Sequence, residues 1–397
     1  MLIPLTVRER IRRLPAYEFV RAARERAQLK EFDQLLDRIG AAPVPAAATR
    51  PRLAASGTPG GARRDVPGPD FGIVAYGARD WEANGLWQSF EEIGPFSLWE
   101  YRAPGAIPPV RDAAYRARLA AAFLAHLETV EQQFAVHCVF FYASAEHIDV
   151  GLLAELRQRG IWTVVMSLDD KHQFVRPIDA ATGEPLQLLL SRHCDLYWTS
   201  WKTGTRLIYA HGGNPWYAPA AAHPRFYRPV PVHRDLQVAF IGQAYGARGA
   251  LVRYLRKRGF SVATHGPGWP GGFLPFDRVI ETVSRSQVVM GVGGVGFTGE
   301  INHLKGRDFE FPMCGAVYLT SFNSELADHF AIGDEILCYA SPRECADVLH
   351  WILGDEDAAE SIRTAVRARS LREHTWGHRL RAMLSVLTDR DVKPDCA

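Results

Sequence analysis

From residue 71 the chain repeats one pattern, an apolar run of strand length followed by a stretch with helical spacing. The first series reads FGIVAY, SLWEY, a helix near 112–134, VHCVFFY, a helix near 148–158, WTVVMSL and DLYWTS, and it ends near PWYAP. After the Pro-rich crossing HPRFYRPVPVHRD the pattern starts again. The second series reads LQVAFIG, a helix near 247–258, FSVATHG, a helix near 275–285 and QVVMGVG. A helix containing LKGRDFE follows, then AVYLT, EILCYA and helices near 343–353 and on to about 372. Such alternation specifies a parallel sheet with helices on both faces. The fold class is therefore α/β, with two Rossmann-like doubly wound domains in succession.

The expected boundaries follow from the same pattern. Residues 1–69 form a helical appendage and a linker rich in Pro, Ala and Gly. Residues 70–230 form the first domain, 231–373 the second, and 374–397 a helix with a tail, in which Trp376, Leu380, Leu384 and Leu387 share one face. The apolar spacing of the N-terminal helix fits both self-association, hence a homodimer, and packing on the first sheet. Open α/β sheets bind ligands beyond the carboxyl ends of their strands, so two facing domains would enclose a central cleft.

Composition narrows the partners. Lysines and arginines number 46 against 44 aspartates and glutamates, a formal charge of +2, which provides no field for nucleic acid or an anionic membrane. Any anion site must be local. The six cysteines lie far apart, several inside apolar runs, as expected for free thiols in a reducing cytosol. The basic start MLIPLTVRERIRRLPAY is unlike a signal peptide, and no stretch approaches the roughly 18 apolar residues of a membrane helix. A soluble, cytoplasmic protein is expected.

Three glycine-bearing strand ends are candidates for the ligand. GVGGVG at 291–296, which includes Gly294, fits the dinucleotide fingerprint G-x-G-x-x-G. The FTGEINHLKG that follows lacks the small apolar residues of a phosphate-binding helix, so a glycine loop approaching some other ligand is preferred to a nicotinamide or flavin site. FIGQAYGARG places Gly242 at a strand end and Arg248 in the first turn of the next helix, where amide groups and a guanidinium bind phosphate. A plain turn with an exposed arginine fits as well. HGPGWPGG adds Gly266 and Trp269, whose indole is free either to take a flat base or to cover the sheet edge.

The stretch GRDFEFPMCGAVYLT, with LADHFAIGDEILCYASPRECADVLHWIL and REHTWGHRL after it, resembles the CgeB/YkvP-like glycosyltransferases, spore-maturation proteins and relatives with a GT-B fold. The resemblance runs back through QVAFIGQAYGARGALVRYLRKRGFSV, CDLYWTS and the Asp-Asp of VVMSLDD, covering roughly 70–385. It implies a nucleoside-diphosphate sugar as donor substrate, no metal and no cofactor, with Glu310 on the ribose and Phe311 to Gly315 as the turn beside it. Lys305, Arg307 and Arg248 would hold the diphosphate. Fixed cations there suit the chemistry, because charge develops on the departing nucleoside diphosphate. Retaining relatives carry a second glutamate eight residues before the first; here that position is Asn302, with Glu300 two residues out of register, so the stereochemical course stays open.

On the first domain, LDDKH places Asp169, Asp170 and His172 after a strand, one aspartate to orient or deprotonate the acceptor and the other to cap the next segment. A divalent ion on the adjacent carboxylates is the rival chemistry. Glu146 and His147 in YASAEHIDV are further candidate bases, although a histidine at a strand end is more often structural. Trp81, Asn84 and Gly85 in DWEANGLWQSFEEIG are candidates for the acceptor side. The expected activity is transfer of a sugar to a hydroxyl or amine of a small molecule or glycan. A nicotinamide-dependent oxidoreductase and a non-catalytic sugar-nucleotide-binding protein are the alternatives.

Overall fold

The computed structural model describes residues 15–40, 70–101, 111–168, 170, 174–175, 177–295 and 301–388. Within them the chain forms two compact units, one built on Leu35–His223 together with the segment from Thr375, the other on Pro224–His374 together with the helical residues up to Gln34. A helix, α1 (Pro15–Ile39), precedes both sheets in the chain.

In the N-terminal unit, β1 (Gly72–Gly77), β2 (Phe96–Glu100), β3 (Val136–Phe141), β4 (Trp162–Ser167), β5 (Leu196–Thr199) and β6 (Pro215–Tyr217) form one sheet in the order β2-β1-β3-β4-β5-β6. Every pairing is parallel. Strands β1 and β3 are buried at every position, which explains their unbroken apolar runs. The intervening helices are α2 (Leu86–Glu91), α3 (Ala113–Glu131), α4 (Val150–Gln158), α5 (Leu186–His193) and α6 (Gly204–Ala210). Asp112 and Asp149 cap α3 and α4 by accepting from the amides of Tyr115 and Gly151.

The C-terminal unit holds β7 (Leu236–Ile241), β8 (Val262–His265), β9 (Ser286–Met290), β12 (Tyr318–Ser321) and β13 (Leu337–Tyr339) in the order β13-β12-β9-β7-β8, again all parallel. Helices α7 (Arg248–Lys257), α8 (Phe276–Arg285), α9 (Arg307–Met313), α10 (Pro342–Leu353) and α11 (Glu356–Glu373) accompany it. A core of Val238, Phe240, Leu255, Val288, Leu319, Leu349 and Ile362 joins this sheet to α7, α10 and α11. The last helix, α12 (Trp376–Thr388), belongs to the N-terminal unit, where the Trp376 amide donates to Ala222 and its indole lies 6.2 Å from Trp198.

Between β9 and α9 the chain departs from the expected glycine loop. It forms an antiparallel ribbon of β10 (Gly294–Val295) and β11 (Ile301–Asn302), with Gly294 opposite Asn302. Among the described residues no phosphate-binding helix opens directly after the glycines, and the protein itself uses them. A Cβ on Gly291 would fall on the Tyr318 hydroxyl, and one on Gly293 on Asn302 Oδ1. The nicotinamide alternative loses its motif.

Both sheets reverse strand order once, between β1 and β3 in one and between β7 and β9 in the other. Loops at the carboxyl ends of those strands are where each unit can hold a ligand.

Candidate functional site: a guanidinium pair and a carboxylate

At the end of β7 the chain must turn away under a neighbouring arginine. A Cβ on Gly242 would overlap Arg307 Nη1 and displace it, so glycine keeps that guanidinium in place, and Nη1 donates to the Ile241 carbonyl at 2.8 Å. Arg307 is the first residue of α9. Arg248, in the first turn of α7, is 4% exposed. Its Nη1 donates to Gln243 O at 3.0 Å, its guanidinium lies 4.1 Å from the Tyr245 ring centre, and its Nε is buried without a hydrogen-bond partner. The two guanidinium carbons stand 5.8 and 6.0 Å from the Phe240 ring centre.

Among the described residues neither arginine is ion-paired to a carboxylate. Burial, and after it the charge of Arg307, pushes the Arg248 pKa down to about 10. Two neighbouring cations with no carboxylate in ion-pair contact, one of them desolvated, are costly unless an anion joins them. The α7 N-terminus has no side-chain cap, so its free amides add to the pull on an anion.

The next loop fixes this geometry from the side. The Gly242 amide donates to His265 O at 2.8 Å and the Ala244 amide to Pro267 O at 2.8 Å. Trp269 is engaged rather than free, its Nε1 donating to Gly242 O at 2.7 Å while its ring stands edge-on to Phe240. Gly266 has φ +119°, and a Cβ there would lie 2.5 Å from the Gly242 carbonyl oxygen, a backbone atom that cannot swing aside. Gly266→Ala is therefore expected to cost about 2–4 kcal/mol, read from the shift in the urea unfolding midpoint.

Glu310 lies one turn along α9. Its Oε1 accepts from the Tyr227 hydroxyl at 3.0 Å, and the absence of a side chain at Gly306 gives the carboxylate room to fold back. Burial raises its pKa to about 7, against the opposing pull of Tyr227 and Arg307. Asp308, which is 3% exposed, ties down the start of the helix by accepting from the Lys305 amide at 2.6 Å and the Tyr318 hydroxyl at 2.8 Å. Its carboxyl is likewise pushed up by burial.

The structure thus brings Gly242, Arg248, Gly266, Trp269, Arg307 and Glu310 into one neighbourhood, with Lys305 entering α9 beside them. It does not bring Gly315 there. Gly315, with φ +66°, ends α9 at the entry to β12, the opposite end of the sheet from the β7 loop. Gly294 is taken up by the ribbon. Tyr227, Asp308 and Tyr318 are the site residues that sequence reasoning missed.

In the N-terminal unit, Asp170 is fully buried and its Oδ1 accepts from the Tyr197 hydroxyl at 2.8 Å, with Gln187 donating to the same tyrosine. His147 is 2% exposed, shares a 3.0 Å hydrogen bond with the Tyr115 hydroxyl and packs on Tyr101. Glu146 is ion-paired with Arg111. Asn84 ends the short helical turn Trp81–Asn84, and Gly85, at φ +133°, allows close approach of His223. Asp169, His172 and the Trp81 side chain lie outside the described residues. No group of three His, Cys, Asp or Glu side chains placed to hold a metal occurs among the described residues, nor does a helix long and apolar enough to cross a membrane. The five cysteines described form no disulfide.

The guanidinium pair and Glu310 fall in a segment with known relatives. Residues 248–385 match the family model described as glycosyl transferase-like. No curated protein matches the chain. Among solved structures, sucrose-phosphate synthase from Thermosynechococcus elongatus aligns over 79% of this chain and 99% of its own, at 11% identity and a TM-score of 0.56. Anabaena HepE in complex with UDP and glucose aligns over 79% and 99%, at 10% identity and a TM-score of 0.55. A glycosyltransferase from Rickettsia africae aligns over 81% and 98%, at 8% identity and a TM-score of 0.57. At these identities the likeness establishes the fold, which is that of the GT-B glycosyltransferases.

Proposed function

We propose that this chain is a glycosyltransferase of the hexosyl type that takes a sugar from a nucleoside-diphosphate donor held in its C-terminal unit. The observation that carries this reading is the pair Arg248 and Arg307, without carboxylate partners, at the end of β7, inside the glycosyl transferase-like segment. Arg248, Arg307 and the α7 amides would hold the diphosphate, aided by Lys305, and Glu310 would accept from the ribose hydroxyls. The CgeB/YkvP-like group is the proposed subfamily, acting in the cytoplasm, and UDP, bound by HepE, is the first nucleotide to test.

In the reaction the bond from the anomeric carbon to phosphate breaks, with its electron pair leaving on the diphosphate. The acceptor oxygen or nitrogen forms the new bond and gives up its proton. Fixed guanidinium groups stabilise the leaving diphosphate and need no metal to do so. Asp170 is committed to Tyr197, which leaves Asp169 as the proposed acceptor base.

A thermal-shift panel of UDP, GDP, ADP and dTDP tests the reading. One of them at about a hundred times its Kd should add about 2.7 kcal/mol of stability, a rise of several degrees in Tm. No shift with any nucleotide, or a shift with NADH alone, would overturn it.

A further inference from the structure

Tyr227 lies in RFYRPV, the fourth residue of the Pro224–His374 segment, far from any motif that the sequence displays. Its ring is 5% exposed and stands edge-on to Phe276, 5.3 Å between centres and 87° between planes. The hydroxyl reaches Glu310 Oε1 across 83 residues of sequence. Among the described residues that is the carboxylate's one side-chain hydrogen bond, so Oε2 keeps its acceptor capacity for a ligand.

We propose that Tyr227 is a positioning residue of the donor site: its hydroxyl fixes Oε1 of Glu310 and so presents Oε2 to a ribose hydroxyl of the nucleoside diphosphate. This rests on the donor-site reading above. A carboxylate on a short helix has several rotamers, and a buried phenol held between α8 and α9 selects one before the ligand arrives, which lowers the cost of ordering on binding. The groups that act on Glu310 are Tyr227 from the crossing segment, Arg307 and Asp308 from its own helix, and Cys314 at the helix end. Burial and Asp308 favour the neutral acid, whereas Tyr227 and Arg307 favour the anion. Loss of the phenol hydroxyl therefore also makes Glu310 easier to protonate.

Tyr227→Phe keeps the ring and its packing on Phe276 and removes only the hydroxyl. Titration calorimetry with UDP, GDP, ADP and dTDP, from about pH 5.5 to 8.5, reads the effect on the nucleotide that binds. The Kd at pH 7.5 should rise roughly tenfold, the size of a lost hydrogen bond to a charged group. The acid limb of the binding profile should move up by roughly one pH unit relative to wild type. Titration of the ligand phosphate is common to both proteins and cancels in that comparison. In turnover the loss should appear in KM for the donor, with kcat within about twofold.

An unchanged Kd and acid limb, in a variant that keeps its Tm, would overturn the proposal. So would a fall in Tm with an unmoved acid limb, which marks a packing role alone. Absence of binding by the wild type to all four nucleotides sinks the donor-site reading and this proposal with it, and it is distinguishable because it needs no variant.

Discussion

Replacing Arg307 by alanine is expected to lower kcat by roughly a hundredfold to a thousandfold, while Kd for the nucleoside diphosphate rises only several-fold. The asymmetry follows from how the side chain is held. Arg307 Nη1 is anchored on the Ile241 carbonyl and lies in the space that Gly242 leaves by lacking a side chain, so the charge is in place before the reaction begins. A preplaced cation contributes most where negative charge is growing, on the oxygen that leaves the sugar. On the proposed reading, Arg248 stays behind in the variant to bind the ground-state diphosphate. Arg307→Lys should recover part of the turnover, because it restores a charge but not the planar fork that reaches both Ile241 and a phosphate. Loss of stability should be small, since the substitution also removes the repulsion that depresses the Arg248 pKa. Steady-state kinetics with varied donor separates the two constants, and a variant with wild-type kcat would remove Arg307 from the chemistry.

The parts of this site that the sequence discloses are those whose cause is local. Runs such as GIVAYG and VHCVFF read as strands because parallel strands buried on both faces have no polar alternate to confuse the pattern. Arg248 is legible because it follows a strand and a glycine turn at fixed spacing. The helices Leu86–Glu91, Leu186–His193 and Gly204–Ala210 escape notice, being of only two turns or so and starting without a side-chain cap hydrogen bond. GVGGVG misleads for a different reason. Its glycines answer to Tyr318 and Asn302, side chains that arrive from later strands, and a spacing rule cannot distinguish that demand from the demand of a pyrophosphate. Tyr227 is invisible for the same kind of reason, since its value depends on α9 returning to the crossing segment.

Glu310→Gln should make the protein more stable at pH 8 and leave it unchanged at pH 4. In the folded protein the carboxyl pKa stands at about 7, above the ordinary 4.5, with burial as the largest cause. Between those two values the folded state holds more protons than the unfolded one, so this group's contribution to stability falls as pH rises through the window. Above pH 7 the wild type carries the net cost of holding the anion in the folded state, about 3 kcal/mol for a shift of this size, and glutamine, which does not ionise, has no such pH-dependent cost. The amide oxygen still accepts from Tyr227, so the hydrogen bond is kept and only the charge is lost. Urea unfolding at pH 4 and pH 8 reads the difference directly; equal midpoints for the two proteins at both values would show that Glu310 titrates normally. The same substitution should weaken nucleotide binding, and a saturating nucleoside diphosphate should therefore narrow or reverse the ranking at pH 8, because only the wild type gains the full binding energy. A half-buried carboxylate that destabilises the free protein and is repaid by a ligand hydroxyl is what separates a binding residue from a merely tolerated one, and the two unfolding series, with and without nucleotide, measure both halves of that exchange.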